Sequence, residues 1–239
     1  MRTYEQKSGL WKHGLLLTLL FGFTVMIVGG VLMYRSRAPI PERVAGPDGA
    51  TLFTSADIQN GQDLFRKRGL MDYGTVLGHG AYLGPDYTAE ALHWMTEAMR
   101  PANYAALPLG QQAAADAEIA YELRQNRYQA GTGTLPFTSG QVAGWNAIVD
   151  RYRKLFVEGQ LERALPKGAL LPAAEGGGDP VREATAARQL AAFVTWTAWL
   201  SVAKRPEAAH SYTNNWPYDK AAGNTATAGS MMWSAVSVA

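Results

Sequence analysis

The chain has 239 residues, a net charge of +2, no cysteine, and only 18% charged residues, below the roughly 25% usual for soluble domains. So even a charge balance argues against a nucleic-acid footprint. The lack of thiols excludes disulfides, thiolate zinc sites, iron–sulfur ligation and a thioether-attached haem, and the length allows one or two folded units.

The first element expected is a membrane helix over residues 13–34, from His13 to Tyr34. It holds no acidic or strongly basic side chain, and about 20 apolar residues at 1.5 Å each span a hydrocarbon core of ~30 Å. Trp11 and Tyr34 flank it at interfacial depth, and Lys12 and Arg35 close it. A cleaved signal peptide would have a shorter apolar run and small residues at its cleavage site, whereas Tyr34-Arg35-Ser36-Arg37 follows here. Arg2, Lys7 and Lys12 precede the helix and Arg35, Arg37 and Arg43 follow it, so charge alone does not orient it.

Pro39-Ile40-Pro41 gives an extended exit, and Ala50-Thr51-Leu52-Phe53 a short strand-like piece. Thr54 or Ser55 caps a helix to about Lys67, ended by Gly69. A second helix is expected over 89–99, capped by Thr88 and stopped before Pro101, and a third, alanine-rich, over about 107–127. Leu135 and Phe137 fit a short extended piece, and Ser139 opens a helix to about Glu158 with apolar residues repeating at three and four. A low-complexity loop with Gly168, Pro172 and Gly176-Gly177-Gly178 suggests mobility. Asp179-Pro180 opens the last long helix, whose apolar run over 190–202 is too short to span a bilayer. Such a run either docks on something large or forms the core of this domain alone. The segment 211–219 is polar and aromatic, like a membrane-interface belt, and Met231 to Ala239 reads as the first turns of a second membrane helix.

Gly69 to Asp86 stands apart from this helical pattern, with five glycines, two tyrosines, a histidine and a proline. Glycine at this density implies close backbone approach or positive φ. Composition leaves two readings open, a cofactor loop and an ordinary ordered surface loop.

Several short segments, in order and spacing, carry a resemblance. They are Pro39-Ile-Pro-Glu42, Asp57-Ile-Gln-Asn-Gly-Gln62, Gly78-His-Gly-Ala-Tyr82 with Pro85-Asp86, Phe193-Val-Thr-Trp-Thr-Ala-Trp199, Arg205-Pro206, Tyr212-Thr-Asn-Asn-Trp-Pro217 and Met232-Trp-Ser234. Together they resemble the N-terminal part of quinol-dependent nitric oxide reductases, of the haem–copper oxidase superfamily. The resemblance implies a mainly α fold: one N-terminal transmembrane helix, an α-helical cytochrome-c-like domain, and the start of a truncated second transmembrane helix. The implied organisation is a cytoplasmic N-terminus at 1–12, a membrane helix at 13–34, a periplasmic domain without haem at 35–229, and the start of the second membrane helix at 230–239. The location implied is the bacterial inner membrane, with the soluble domain on the periplasmic side.

Cytochrome-c-dependent relatives carry Gly-Cys-x-x-Cys-His-Thr where this chain reads Gly69-Leu70-Met71-Asp72-Tyr73-Gly74-Thr75. Leu70 and Tyr73 stand at the cysteine positions and Gly74 at the axial histidine, so the resemblance implies a domain without haem c and a reductase fed by quinol. It places no catalytic residue and no cofactor in this segment. Haem b, haem b3 and non-haem iron, ligated by later membrane helices, would reduce NO to N2O in the intact enzyme, in denitrification. Gly80, through its carbonyl, and Tyr82 are implied as calcium ligands at the interface with those helices. The partners implied are those helices, the bilayer and quinol, and no nucleic acid. His13, His79, His93 and His210 are read as structural histidines. The competing expectation is a membrane-anchored periplasmic interaction or sensor domain without enzymatic activity.

Overall fold

The computed structural model describes residues 2–78, 80, 84–160, 165 and 167–238. The chain divides into two compact units, Met1–Pro39 and Ile40–Ala239. The first unit is essentially one helix, α1 (Arg2–Arg35). Its segment Trp11–Arg35, of 25 residues and mean hydropathy 2.5, is long and apolar enough to cross a membrane. Leu17, Phe21 and Ile27 are among its exposed apolar side chains. An exposed apolar surface on every side suits lipid rather than water, so α1 can anchor the chain in a membrane.

The second unit is mainly helical, with one small sheet. Strands β1 (Arg43–Ala45), β2 (Thr51–Thr54) and β3 (Thr134–Pro136) are ordered β2-β1-β3. Val44 faces Phe53 in the antiparallel pair and Leu135 in the parallel one. The helices are α2 (Ser55–Lys67), α3 (Tyr87–Met99), α4 (Leu109–Arg124), α5 (Ser139–Arg153), α6 (Pro180–Val202) and α7 (Ala228–Val238). A π-helical turn, Lys154–Glu158, extends α5.

Local chemistry sets most of these boundaries. Thr54 caps α2 in a reciprocal box with Asp57, and Gly69 follows with φ 60°, the left-handed conformation that ends helices. Thr138 and Gln141 form the same box on α5. Asp179 caps α6 through the amides of Val181 and Arg182, with Pro180 at its first position. Two expectations are corrected. Asp86, not Thr88, caps α3, because the Asp86 carboxylate reaches the Ala89 amide while Thr88 lies one residue inside the helix. And α4 is shorter than 107–127, because Pro108 lacks the amide an earlier turn would use and the chain turns extended at Gln125.

The core is built around α6. Phe193, Val194, Ala198, Trp199, Leu200 and Val202 are all buried within the unit. The apolar run over 190–202 is therefore the domain's own core helix, packed on α2, α3 and α5. Gly61 makes the α2 crossing close: a Cβ there would overlap the Gln189 carbonyl and touch the Phe193 Cβ at 2.9 Å. Phe65, one turn on, meets Phe193 with ring centroids 6.0 Å apart. The sheet rests on α5 through Phe53, 4.5 Å from the Trp145 ring. The loop before α6 folds as turns and buries Leu165 and Leu170. Segment 211–219 also folds into the domain, burying Ser211 and Asn215, while Tyr218 points outward. In α7, Met231, Met232 and Val236 are exposed.

This packing can be tested at two positions. Gly61→Ala should destabilise the folded chain by ~2 kcal/mol or more, because the overlap falls on backbone that cannot give way; a clearly lowered thermal midpoint in detergent is expected, and an unchanged one would refute the crossing. At the end of α5, hydrogen bonds from Lys154 and then Arg153 hold the Asp150 carboxyl below its ordinary range. A depressed carboxyl stabilises the fold above its unfolded pKa, and that contribution is lost as pH falls through the folded value. Asp150→Asn should therefore lower the melting temperature at neutral pH, and the gap should close in acid, below the usual carboxylate range.

Candidate functional site

The loop from Gly69 to Asp86 leaves α2 and returns to α3. After Gly69 the chain makes one short 3-10 turn, Leu70–Asp72, and Leu70 drops into the core at 1% exposure. The two limbs of the loop then meet. The Thr75 amide donates to the Pro85 carbonyl (3.1 Å) and the Tyr87 amide to the Thr75 carbonyl (2.8 Å), giving a parallel bridge between Thr75 and Asp86. This approach requires bare backbone. A Cβ at Gly84 would overlap the Tyr73 carbonyl, and one at Gly74 would lie 2.6 Å from the Pro85 oxygen and 2.8 Å from the Tyr87 ring.

Asp86 fastens the loop. Its Oδ2 accepts from the Thr75 hydroxyl (2.8 Å) and the Gly78 amide (2.5 Å), and its Oδ1 accepts from the Ala89 amide (2.9 Å). The carboxylate is 6% exposed, so these three donors replace the water it has lost. Thr75 Oγ1 in turn accepts from the Gly80 amide at 2.9 Å. Leu77 is held at φ 55°, a conformation that costs a branched residue, and its amide donates to Thr88 Oγ1 at 3.2 Å. The Thr88 hydroxyl donates to Thr197 on α6 (3.0 Å), and the Trp216 indole N–H donates to the Gly78 carbonyl (3.1 Å). The loop is thus tied to three parts of the domain.

Beneath the loop lies an aromatic cluster. The Tyr87 ring stands 6.0 Å from Phe65, 6.2 Å from Tyr152 and 6.3 Å from Phe156, and Trp94 meets Tyr152 at 5.8 Å. All five are buried. The edge-on and tilted arrangements favour contact beyond simple burial.

Residues 41–218, about three quarters of the chain, match the family described as the NorB cytochrome c-like domain of nitric oxide reductase. The chain belongs to this family. No curated protein sequence matches it. As a member of the reductase family's cytochrome c-like domain, the chain poses a question of fit, because that fold type implies haem c. Its residues do not fit a covalently held haem. There is no cysteine for a thioether, Leu70 is buried in the core, and any side chain at position 74 collides with Pro85 and Tyr87.

The predicted site residues are placed unequally. Gly80 lies in the loop with φ 88°, its amide bound to Thr75. Tyr82 and His79 lie outside the described residues. His93 sits between two carboxylates, Nε2 3.4 Å from Glu97 and Nδ1 3.4 Å from Asp219. The His210 carbonyl accepts from the Arg205 amide, and His13 lies on α1. Among the described residues no group of three or more histidine, aspartate or glutamate side chains could hold a metal. Sequence reasoning missed Asp86 as the fastening residue. Its signal was present, since an aspartate one residue before an apolar helical run is a preferred cap.

Asp86→Ala should remove the α3 cap and both loop bonds, costing ~1 kcal/mol for the cap alone. Amide exchange at Thr75, Gly78 and Gly80 should rise sharply, well beyond any change in α5. Unchanged protection at these amides would refute the fastening role.

Proposed function

We propose that this chain supplies the membrane anchor and the haem-free extramembrane domain of a nitric oxide reductase that takes its electrons from quinol. The observation that carries this proposal is Gly74, closed against any side chain by the Pro85 carbonyl and the Tyr87 ring at the position of the axial histidine in cytochrome-c-dependent relatives. A cytochrome c-like domain that cannot hold its haem does not relay electrons from a soluble cytochrome. Electrons then reach the catalytic centre by another route, and a lipid-soluble quinol is the donor that a membrane enzyme can meet without such a relay.

In this proposal the reaction joins 2 NO, two electrons and two protons into N2O and water. Haem b, haem b3 and non-haem iron, held by membrane helices outside these 239 residues, supply that chemistry. The residues of this chain anchor, shape and dock. α1 holds the domain to the inner membrane on its periplasmic side, and the Gly78–Pro85 part of the loop docks on the catalytic helices. Gly80 and Tyr82 would offer oxygen ligands to a calcium at that contact, with the remaining ligands coming from the catalytic helices. The Gly80 amide N–H donates to Thr75 Oγ1, which tethers the residue that bears the proposed ligand carbonyl.

The purified intact reductase should consume NO with a reduced quinol analogue and show no turnover with reduced cytochrome c as sole donor. The chain itself, denatured in alkaline pyridine, should give no c-type haem band. Turnover driven by cytochrome c together with such a band would overturn the proposal.

A further inference from the structure

We propose that Tyr34, Arg35 and Arg37 form a binding site for the phosphate of an anionic glycerophospholipid, at the end of α1 that leads into the second unit. The inference needs α1 to lie in a membrane but does not need the chain to belong to a quinol-fed enzyme.

Length comes first. The 25 residues of Trp11–Arg35 rise about 37 Å at ~1.5 Å each, more than a hydrocarbon core of ~30 Å. With Trp11 near one interface, Tyr34 and Arg35 therefore fall in the headgroup layer at the other. That layer is where lipid phosphates are concentrated, and tyrosine rings favour it.

Local geometry comes second. The Ser36 amide donates to the Leu32 carbonyl (3.0 Å) and the Arg37 amide to the Tyr34 carbonyl (3.4 Å), so the chain keeps winding just past the helix. This folds Arg37 back until its guanidinium carbon lies 4.4 Å from the centre of the Tyr34 ring. The contact restrains a long side chain before any ligand arrives, and among the described residues of this unit it leaves the N–H donors of the guanidinium without a protein acceptor. Arginine donors in a planar fork match two phosphate oxygens at once, which an ammonium does not.

Charge comes third. No acidic residue occurs between Gln6 and Pro41, so within this unit the nearest carboxylate, Glu5, is at the far end of the helix. Arg35 can be accounted for by the negative end of the helix dipole. Arg37, beyond the helix, cannot. Nor does topology account for the pair, since Arg2, Lys7 and Lys12 precede the helix as Arg35, Arg37 and Arg43 follow it, and the positive-inside rule would deplete one side. Two guanidinium groups at phosphate depth, with no carboxylate beside them between Gln6 and Pro41 and one held against an interfacial tyrosine, fit an anionic lipid better than a zwitterionic one, whose choline would be repelled.

The test places the full chain in vesicles that contain a headgroup-photoactivatable phosphatidylglycerol, or the matching phosphatidylcholine, and maps crosslinks by mass spectrometry. A several-fold excess of phosphatidylglycerol crosslinks on residues 34–37 is expected in the native sequence. Arg37→Gln should abolish the excess, and Arg37→Lys and Tyr34→Leu should each cut it severalfold. Equal crosslinking of the two lipids would overturn the site, as would an excess that survives Arg37→Gln. A full excess in Arg37→Lys would overturn recognition by the arginine fork, leaving bulk charge. Displacement of the lipid by inorganic phosphate would assign the site to a free anion instead.

Discussion

The Asp86 carboxylate is the joint on which the characteristic part of this fold depends. One buried group ends the loop, begins α3 and binds the loop's two limbs together, through Thr75, Gly78 and Ala89. A buried charge is tolerated only when its oxygens are fully engaged. Each of its donors is positioned by something else: Thr75 by the bridge to residues 85–87, Gly78 by the Trp216 indole, and Ala89 by the helix. The loop is consequently fastened at Thr75, Gly78 and Gly80, although its composition alone would permit a loose one.

The packing beneath this joint also shows why a covalently held haem does not fit the domain. A haem contributes a large apolar surface to the core of such a fold. Here the layer beneath the loop is made of side chains, with Tyr87 at the centre and Phe65, Tyr152 and Phe156 around it. Leu70 is drawn into the core, and Gly74 is sealed by its neighbours. Any side chain at position 74 would therefore require the Pro85 limb or the Tyr87 ring to move.

The scaffold around the loop follows ordinary rules. From Leu190 to Val202, α6 is apolar on nearly every side and is buried on nearly every side, with α2, α3 and α5 packed on the helix. Its closest crossing depends on Gly61, the one position on α2 where a missing side chain lets two helices approach to backbone contact. The unit thus has one central helix, and the family's loop is hung from it through Thr88 and Thr197. In the other unit α1 is apolar without cover, which is the arrangement a lipid environment favours.

Much of this was legible in the residues. Periodicity and caps placed α2, α6 and the start of α5 within a residue or two, because an N-cap threonine or aspartate, a proline at the first turn and a glycine after the last act locally, whereas α5 gives way to a π-helical turn after Arg153. The apolar length of α1 needed no partner to be recognised, and the missing cysteines excluded a thioether-bound haem outright. Tertiary structure alone decided the rest. Whether the run over 190–202 faces outward or is core depends on which helices cover it. That Thr88, inside α3, uses its hydroxyl to reach Thr197, 109 residues away, while Asp86 caps the helix, was visible only in the folded chain. And how closely the loop's two limbs approach depends on contacts of Gly74 and Gly84 with the Pro85 and Tyr73 carbonyls and the Tyr87 ring. Composition counts residues but cannot measure how near two backbones come.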